Sequence, residues 1–130
     1  MPKDEEPQFD LEERTACFGE TVIALAKTFP MNAVTGPLIS QLVRSSTSIG
    51  ANYCEADNAE SRKDFRHKIG LCRKESRESM YWLRQISAAE PDRIEEARIH
   101  WKEAKELNLI FSAIIRKLDE NDRGQEPPEQ

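Results

Sequence analysis

Apolar side chains recur every three or four residues along four long stretches of this chain, the spacing that places them on one face of a helix. No stretch keeps the alternation of apolar and polar residues that is typical of a β-strand. The predicted helices cover residues 10–29, 35–56, 61–87 and 91–121. Loops of about 3–6 residues join antiparallel neighbours. The pattern therefore predicts an all-α fold, an antiparallel up-down-up-down four-helix bundle over residues 10–121.

Capping side chains mark the start of three predicted helices. Asp10 and Ser61 each stand three residues before an acidic residue, as in a capping box. Thr35 can cap the second helix. The terminal segments 1–9 and 122–130 fall outside the periodic pattern, and we expect both to be disordered.

The fourth predicted helix is apolar over a wider arc than one neighbouring helix can cover. Its main seam runs from Ile94 to Leu118, and Leu107, Ile110 and Ile114 form a second stripe beside it. In a monomer, the second stripe would be exposed to water. We therefore expect a homo-oligomer. Its expected interface consists of Trp82, Leu107, Ile110 and Ile114.

Length and composition narrow the class of protein. The chain has 130 residues, of which 33% are charged and 38% hydrophobic, which fits one domain of long amphipathic helices. No run of about 18 apolar residues is present, so we expect no membrane span, and no secretory signal is visible. Three cysteines without a Cys-x-x-Cys pair predict reduced thiols and a cytoplasmic location.

The net charge of −5 is unevenly distributed along the chain. Residues 1–20 carry a net charge of −5 and residues 119–130 a net charge of −4, whereas residues 61–87 carry +5. On the third helix, four arginines stand 7, 4 and 7 residues apart and share one flank: Arg66, Arg73, Arg77 and Arg84. This stripe could contact a phosphate backbone. The acidic total and the lack of interleaved aromatic residues favour a solvated or subunit-contacting face instead.

Catalytic and metal sites find little support in the residue types. A di-metal carboxylate bundle needs two Glu-x-x-His motifs, and the two histidines, His67 and His100, provide neither. Cys54 and Cys72 fall near apolar helical positions, where a thiol behaves as a small hydrophobic group. No Gly-rich phosphate loop is present. We therefore expect a protein that is not an enzyme and holds no metal or other cofactor.

An acidic pair on the third helix stands between two large apolar residues. Glu75 and Glu78 lie on the flank that carries Leu71 and Trp82. Such a pair suits ion pairing with a basic residue such as Arg44 or Lys74, within the bundle or across subunits. The two carboxylates could also act as acid and base, although an open cleft would then be needed.

Three stretches of the sequence together resemble a known family. They are Phe29-Pro30, then Gln41-Leu-Val-Arg-Ser-Ser-Thr-Ser-Ile-Gly-Ala-Asn-Tyr-Cys-Glu-Ala56, and Asp64-Phe65 leading into Lys74-Glu-Ser-Arg-Glu-Ser-Met-Tyr-Trp-Leu83. They resemble the four-helix bundle proteins that are encoded in intervening sequences of bacterial 23S ribosomal RNA genes. The similar region covers roughly residues 18–118.

The resemblance implies an antiparallel bundle that assembles into a homopentamer with a central channel, of unestablished molecular activity. The family motif maps to Gln41, Arg44, Ser48, Asn52, Glu55, Glu75, Glu78 and Trp82. The first five stand 3, 4, 4 and 3 residues apart, a single polar line on the second helix, for which Glu75 and Glu78 are candidate partners. More distantly similar are the basic, nucleic-acid-binding accessory proteins of diversity-generating retroelements, from which this chain departs in its net charge of −5.

We therefore predict a non-enzymatic, homo-oligomeric assembly or interaction module. The alternative is a nucleic-acid-binding accessory protein that uses the basic stripe of the third helix. The expected partners of the protein are copies of itself and, in addition, structured RNA or another protein.

Overall fold

Four helices account for nearly all of the chain that the computed structural model describes, residues 10–124. They are α1 (Leu11–Ala26), α2 (Thr35–Asp57), α3 (Arg62–Ala89) and α4 (Ile94–Gly124). A short 3-10 turn, Pro91–Arg93, precedes α4. Within this range no residue forms a β-strand, so the predicted all-α bundle is confirmed.

Contacts between consecutive helices establish the antiparallel order. Between α2 and α3, Arg44 meets Glu75 while Glu55, farther along α2, meets the earlier Lys68. Between α3 and α4, Arg66 meets Asp119, while Ser76, farther along α3, meets the earlier Asn108. Each chain reversal therefore places neighbouring helices side by side in opposite directions, as the short loops require.

Small side chains let α2 approach its two neighbours closely. The hydroxyl of Ser79 donates to Ser45 Oγ at 3.1 Å, and both serines are fully buried. On the α1 side, a Cβ added at Gly19 would lie 3.4 Å from Thr47 Cα, and one added at Gly50 would lie 3.3 Å from Thr15 Oγ1. The run of small residues on α2 therefore serves helix packing, as its sequence suggests.

The breadth of the apolar arc on α4 has an explanation within one chain. Leu107 is 0% exposed and belongs to the core, so its assignment to an oligomer interface was wrong. Ile110 and Ile114 are half-buried and pack against the same core. The arc is wide because α4 packs on both α3 and α1 and also meets α2, where the rings of Phe111 and Tyr53 lie 6.4 Å apart.

The predicted caps are confirmed at two helix ends and wrong at one. The backbone N–H of Glu13 donates to Asp10 Oδ1 at 3.2 Å, and that of Asp64 donates to Ser61 Oγ at 3.0 Å. Thr35 is instead the first residue of α2 and does not cap it. Asn32 takes the capping role, because its Oδ1 accepts the N–H groups of Val34 and Thr35 at 2.9 and 3.0 Å.

Several helix ends differ from the prediction: α3 continues to Ala89, two residues past its predicted end, and α4 begins at Ile94, three residues after its predicted start. α1 ends at Ala26, three residues before the predicted end, and α4 continues through residues 122–124, which were expected to be disordered. The remaining residues predicted to be disordered, 1–9 and 125–130, lie outside the described range. None of the four described helices is long and apolar enough to cross a membrane.

Candidate functional site

Arg44 joins α2 to the acidic pair of α3. Its Nη1 lies 3.3 Å from Glu75 Oε1, and its Nη2 lies 2.5 Å from Glu78 Oε1. Gln41 completes the cluster, because its Oε1 accepts a hydrogen bond from Arg44 Nε at 3.3 Å. Glu75 is only 7% exposed, whereas Arg44 and Glu78 are reached by solvent. The predicted ion pair between Arg44 and the acidic pair is therefore present within one chain.

The remaining members of the polar line each bind a near neighbour. Ser48 Oγ donates to the carbonyl of Arg44 at 2.7 Å, and Asn52 Nδ2 donates to the carbonyl of Ser48 at 2.9 Å. Glu55 accepts from Lys68 Nζ at 2.6 Å, and this hydrogen bond raises the pKa of Lys68. The line from Gln41 to Glu55 is thus a series of local and interhelical hydrogen bonds rather than an array of free ligand groups.

The arginine stripe of α3 divides into a paired end and the remainder. Arg66 forms two parallel hydrogen bonds with Asp119, at 2.8 and 2.9 Å. These bonds raise the pKa of Arg66 and lower that of Asp119. The ion pairs within residues 10–124 include neither Arg73 nor Arg77 nor Arg84. Within residues 10–124, Arg66 is thus the arginine of the stripe that forms an ion pair with the acidic end of α4.

A groove between α3 and α4 collects the middle of the stripe, and we call it the basic groove. It has a volume of about 710 Å³. Its lining includes Arg73, Lys74, Arg77, Tyr81, Trp82 and Asn108. Trp82, predicted at an oligomer interface, thus lines this groove. The two aromatic rings meet edge to face, with their centroids 4.9 Å apart.

Tyr81 is the functional candidate that the sequence reasoning missed. The prediction that no aromatic residue is interleaved with the arginine stripe is wrong, because Tyr81 and Arg77 line the same groove. The available signal was the spacing of four residues from Arg77 to Tyr81, which places the two side chains on neighbouring turns of one helix face.

A second groove, the apolar groove, lies between the end of α3 and the start of α4. Its volume is about 550 Å³, and Leu83, Ile94, Ala97 and Trp101 form most of its apolar lining. Three exposed cations also line it: Arg84, Arg98 and Lys102. Arg84 of the stripe therefore belongs to this groove and not to the basic groove.

The described residues offer no clustered chemistry for metal binding or covalent catalysis. Within residues 10–124, no group of three His, Cys, Asp or Glu side chains is placed to hold a metal ion. All three cysteines are free, and burial raises the pKa of Cys72 to about 12, so its thiol stays protonated. Its Sγ lies 3.6 Å from the carbonyl oxygen of Ile49, inside the core.

Comparison with known proteins places the chain in a family. A crystal structure of a protein of unknown function from the S23 ribosomal protein family of Bacteroides thetaiotaomicron is similar to the chain, with a TM-score of 0.69 and 30% sequence identity. The similarity covers 80% of this chain and 96% of that protein. No curated protein matches. The family model of the 23S rRNA-intervening sequence protein matches residues 8–113, which is most of the chain. The chain therefore belongs to the 23S rRNA-intervening sequence protein family.

Proposed function

We propose that the protein is a non-enzymatic assembly module that forms a homo-oligomer through its apolar groove. The observation that carries this proposal is the combination of an apolar lining with exposed cations at one place on the surface. The resemblance to pentameric bundle proteins favours five copies. Three free cysteines suit the reducing cytoplasm, where we propose that the protein acts.

Charge complementarity favours a second copy of the chain as the occupant of the apolar groove. Arg84, Arg98 and Lys102 place three cations at the groove, while residues 1–20 carry a net charge of −5. A copy that presents an acidic end to the groove of its neighbour gains attraction, and the apolar lining loses its contact with water. Such a contact joins two different surfaces, and it closes into a ring when the rotation between copies allows it.

Light scattering coupled to size-exclusion chromatography tests the assembly. The wild-type protein is expected at a multiple of its 14.9 kDa mass, five-fold for a pentamer. Ile94→Asp places a charge in the apolar groove and is expected to dissociate the oligomer. The helix is expected to persist, because an acidic residue is favourable in a first helical turn.

The matched control is Ile99→Asp, which changes a 68% exposed isoleucine of the same helix that lies outside the groove lining. This variant is expected to keep the wild-type mass. A wild-type protein that stays at 14.9 kDa at tens of micromolar concentration would contradict the proposal.

A second candidate function is the binding of a polyanion such as nucleic acid. The specific observation in its favour is that Arg73 and Arg77 stand together in the basic groove, outside the ion pairs of the described residues. The candidate polyanion contacts are therefore Arg73 and Arg77 rather than all four arginines, because Arg66 binds Asp119 and Arg84 lines the apolar groove.

A further inference from the structure

We propose that the basic groove binds single-stranded nucleic acid, with backbone phosphates on Arg73 and Arg77 and an unpaired base on Tyr81. This inference rests on the second candidate function and names the ligand class and the contacts. Cationic side chains beside exposed aromatic rings are the combination with which proteins bind single strands, because phosphates meet the cations and bases stack on the rings.

The electrostatics of the basic groove favour an anion. Arg73, Lys74 and Arg77 lie within about one turn of α3 and all line the groove. Glu78 lines it as well, so three cations face one carboxylate, which also accepts from Arg44 Nη2 at 2.5 Å while Arg44 binds Glu75. Farther toward the start of α3, Arg62 and Arg66 are bound by Asp122 and Asp119. Arg73, Lys74 and Arg77 therefore remain outside the ion pairs of residues 10–124 and are available to an anion in this groove.

The aromatic pair supplies a surface for a base. Tyr81 is 53% exposed, and its ring meets that of the half-buried Trp82 at an interplanar angle of 78°. An exposed ring that packs against a larger, anchored one loses little conformational entropy when a base stacks on it. Arg77 and Tyr81 are separated by about 6 Å along the helix axis, so one nucleotide can reach both residues.

The shape of the site favours a single strand over a duplex. The groove is a concave surface between two helices, and Asn108 and Ser112 of α4 form its opposite wall. The bases of a duplex are stacked inside the helix, so their faces are not available to Tyr81. Asn108 is already fixed, because its Nδ2 donates to the carbonyl of Arg73 and to Ser76 Oγ, at 3.0 and 3.1 Å. Ser112 offers a hydroxyl group to a base edge.

Fluorescence anisotropy with the full chain tests the inference. The probes are a labelled oligouridylate and an oligothymidylate of about 12 nucleotides, with a duplex of equal length as the comparison. We expect either single strand to bind more tightly than the duplex at about 50 mM salt. The double variant Arg73→Gln/Arg77→Gln is expected to bind at least about tenfold more weakly. The slope of the logarithm of its binding constant against the logarithm of salt concentration is expected to become shallower by about 1.4, the value for two phosphate contacts of a single strand.

Two further variants separate stacking from charge. Tyr81→Ala is expected to weaken single-strand binding by about tenfold, and Tyr81→Phe, which keeps the ring, is expected to restore it. The charge control is Arg116→Gln/Lys117→Gln, which removes two exposed cations of α4 outside the groove lining and is expected to change little.

The outcomes distinguish the two levels of the proposal. If Arg73→Gln/Arg77→Gln binds as tightly as the wild-type protein, polyanion binding at this groove and the inference both fail. If that variant loses affinity while Tyr81→Ala binds normally, or if the duplex binds as tightly as the single strands, the polyanion function stands and the single-strand inference is overturned.

Discussion

Arg44 shows how one side chain can satisfy two acidic groups at different depths. Glu75 is nearly buried, and a buried carboxylate is costly unless a donor or a cation reaches it. Arg44 is long enough to donate to Glu75 while its other terminal nitrogen binds the more exposed Glu78. Arg44, Glu75 and Glu78 of the family motif are thus joined within one chain, and we expect their role to be structural.

Replacement of Arg44 tests this role. Arg44→Ala leaves Glu75 buried without its cation, and we expect a loss of about 1–2 kcal/mol in the free energy of unfolding. The control is Arg62→Ala, which breaks a pair whose two side chains are 47% and 48% exposed, and about 0–1 kcal/mol is expected there. Urea denaturation measures both changes. Unaltered stability of Arg44→Ala would indicate that the polar line serves a ligand instead.

At the scale of the elements, the three-four periodicity sufficed for the four helices, because it depends only on residues near in sequence. The caps at Asp10 and Ser61 were predictable for the same reason. The burial of Leu107 could not be predicted in this way, because it depends on the packing of α4 against both α3 and α1. The basic groove also escaped prediction, since its opposite wall comes from Asn108, more than thirty residues along the chain from Arg73.

Glycines within the helices separate packing from helix propensity. A Cβ added at Gly70 of α3 has nothing within 4 Å, so Gly70→Ala is expected to gain the helix propensity of alanine, about 1 kcal/mol in the free energy of unfolding. Gly50→Ala is the matched comparison, because its Cβ would lie 3.3 Å from Thr15 Oγ1 and 3.5 Å from Ala16 N.

The midpoints of thermal unfolding compare the two glycine variants. Gly70→Ala is expected to unfold at a higher temperature than the wild-type protein, and Gly50→Ala at a lower temperature than Gly70→Ala. The close approach of α1 to α2 at Gly50 would lose its support if the two variants were equally stabilised.

At the scale of the whole molecule, the charge is unevenly distributed along the chain. The net charge of −5 averages acidic ends with a third helix that is basic, and the acidic end of α4 neutralises Arg62 and Arg66. Other cations line the two grooves: the apolar groove, and the basic groove with its paired aromatic rings. The proposed self-assembly and the proposed anion binding therefore involve different grooves between α3 and α4.

Cys72 reports on the opening of the core as a unit. The thiol is fully buried, and burial raises its pKa to about 12, so the reactive thiolate is scarce at pH 8. Cys17 and Cys54 are exposed and serve as internal controls.

We expect iodoacetamide at pH 8 to label the two exposed cysteines quickly and Cys72 only as fast as the bundle opens, as measured by mass spectrometry of the peptides. Denaturing concentrations of urea should remove the difference, because the unfolded thiol regains its ordinary, lower pKa. Labelling of Cys72 at the rate of Cys54 in the native protein would mean that the seam between α2 and α3 opens readily.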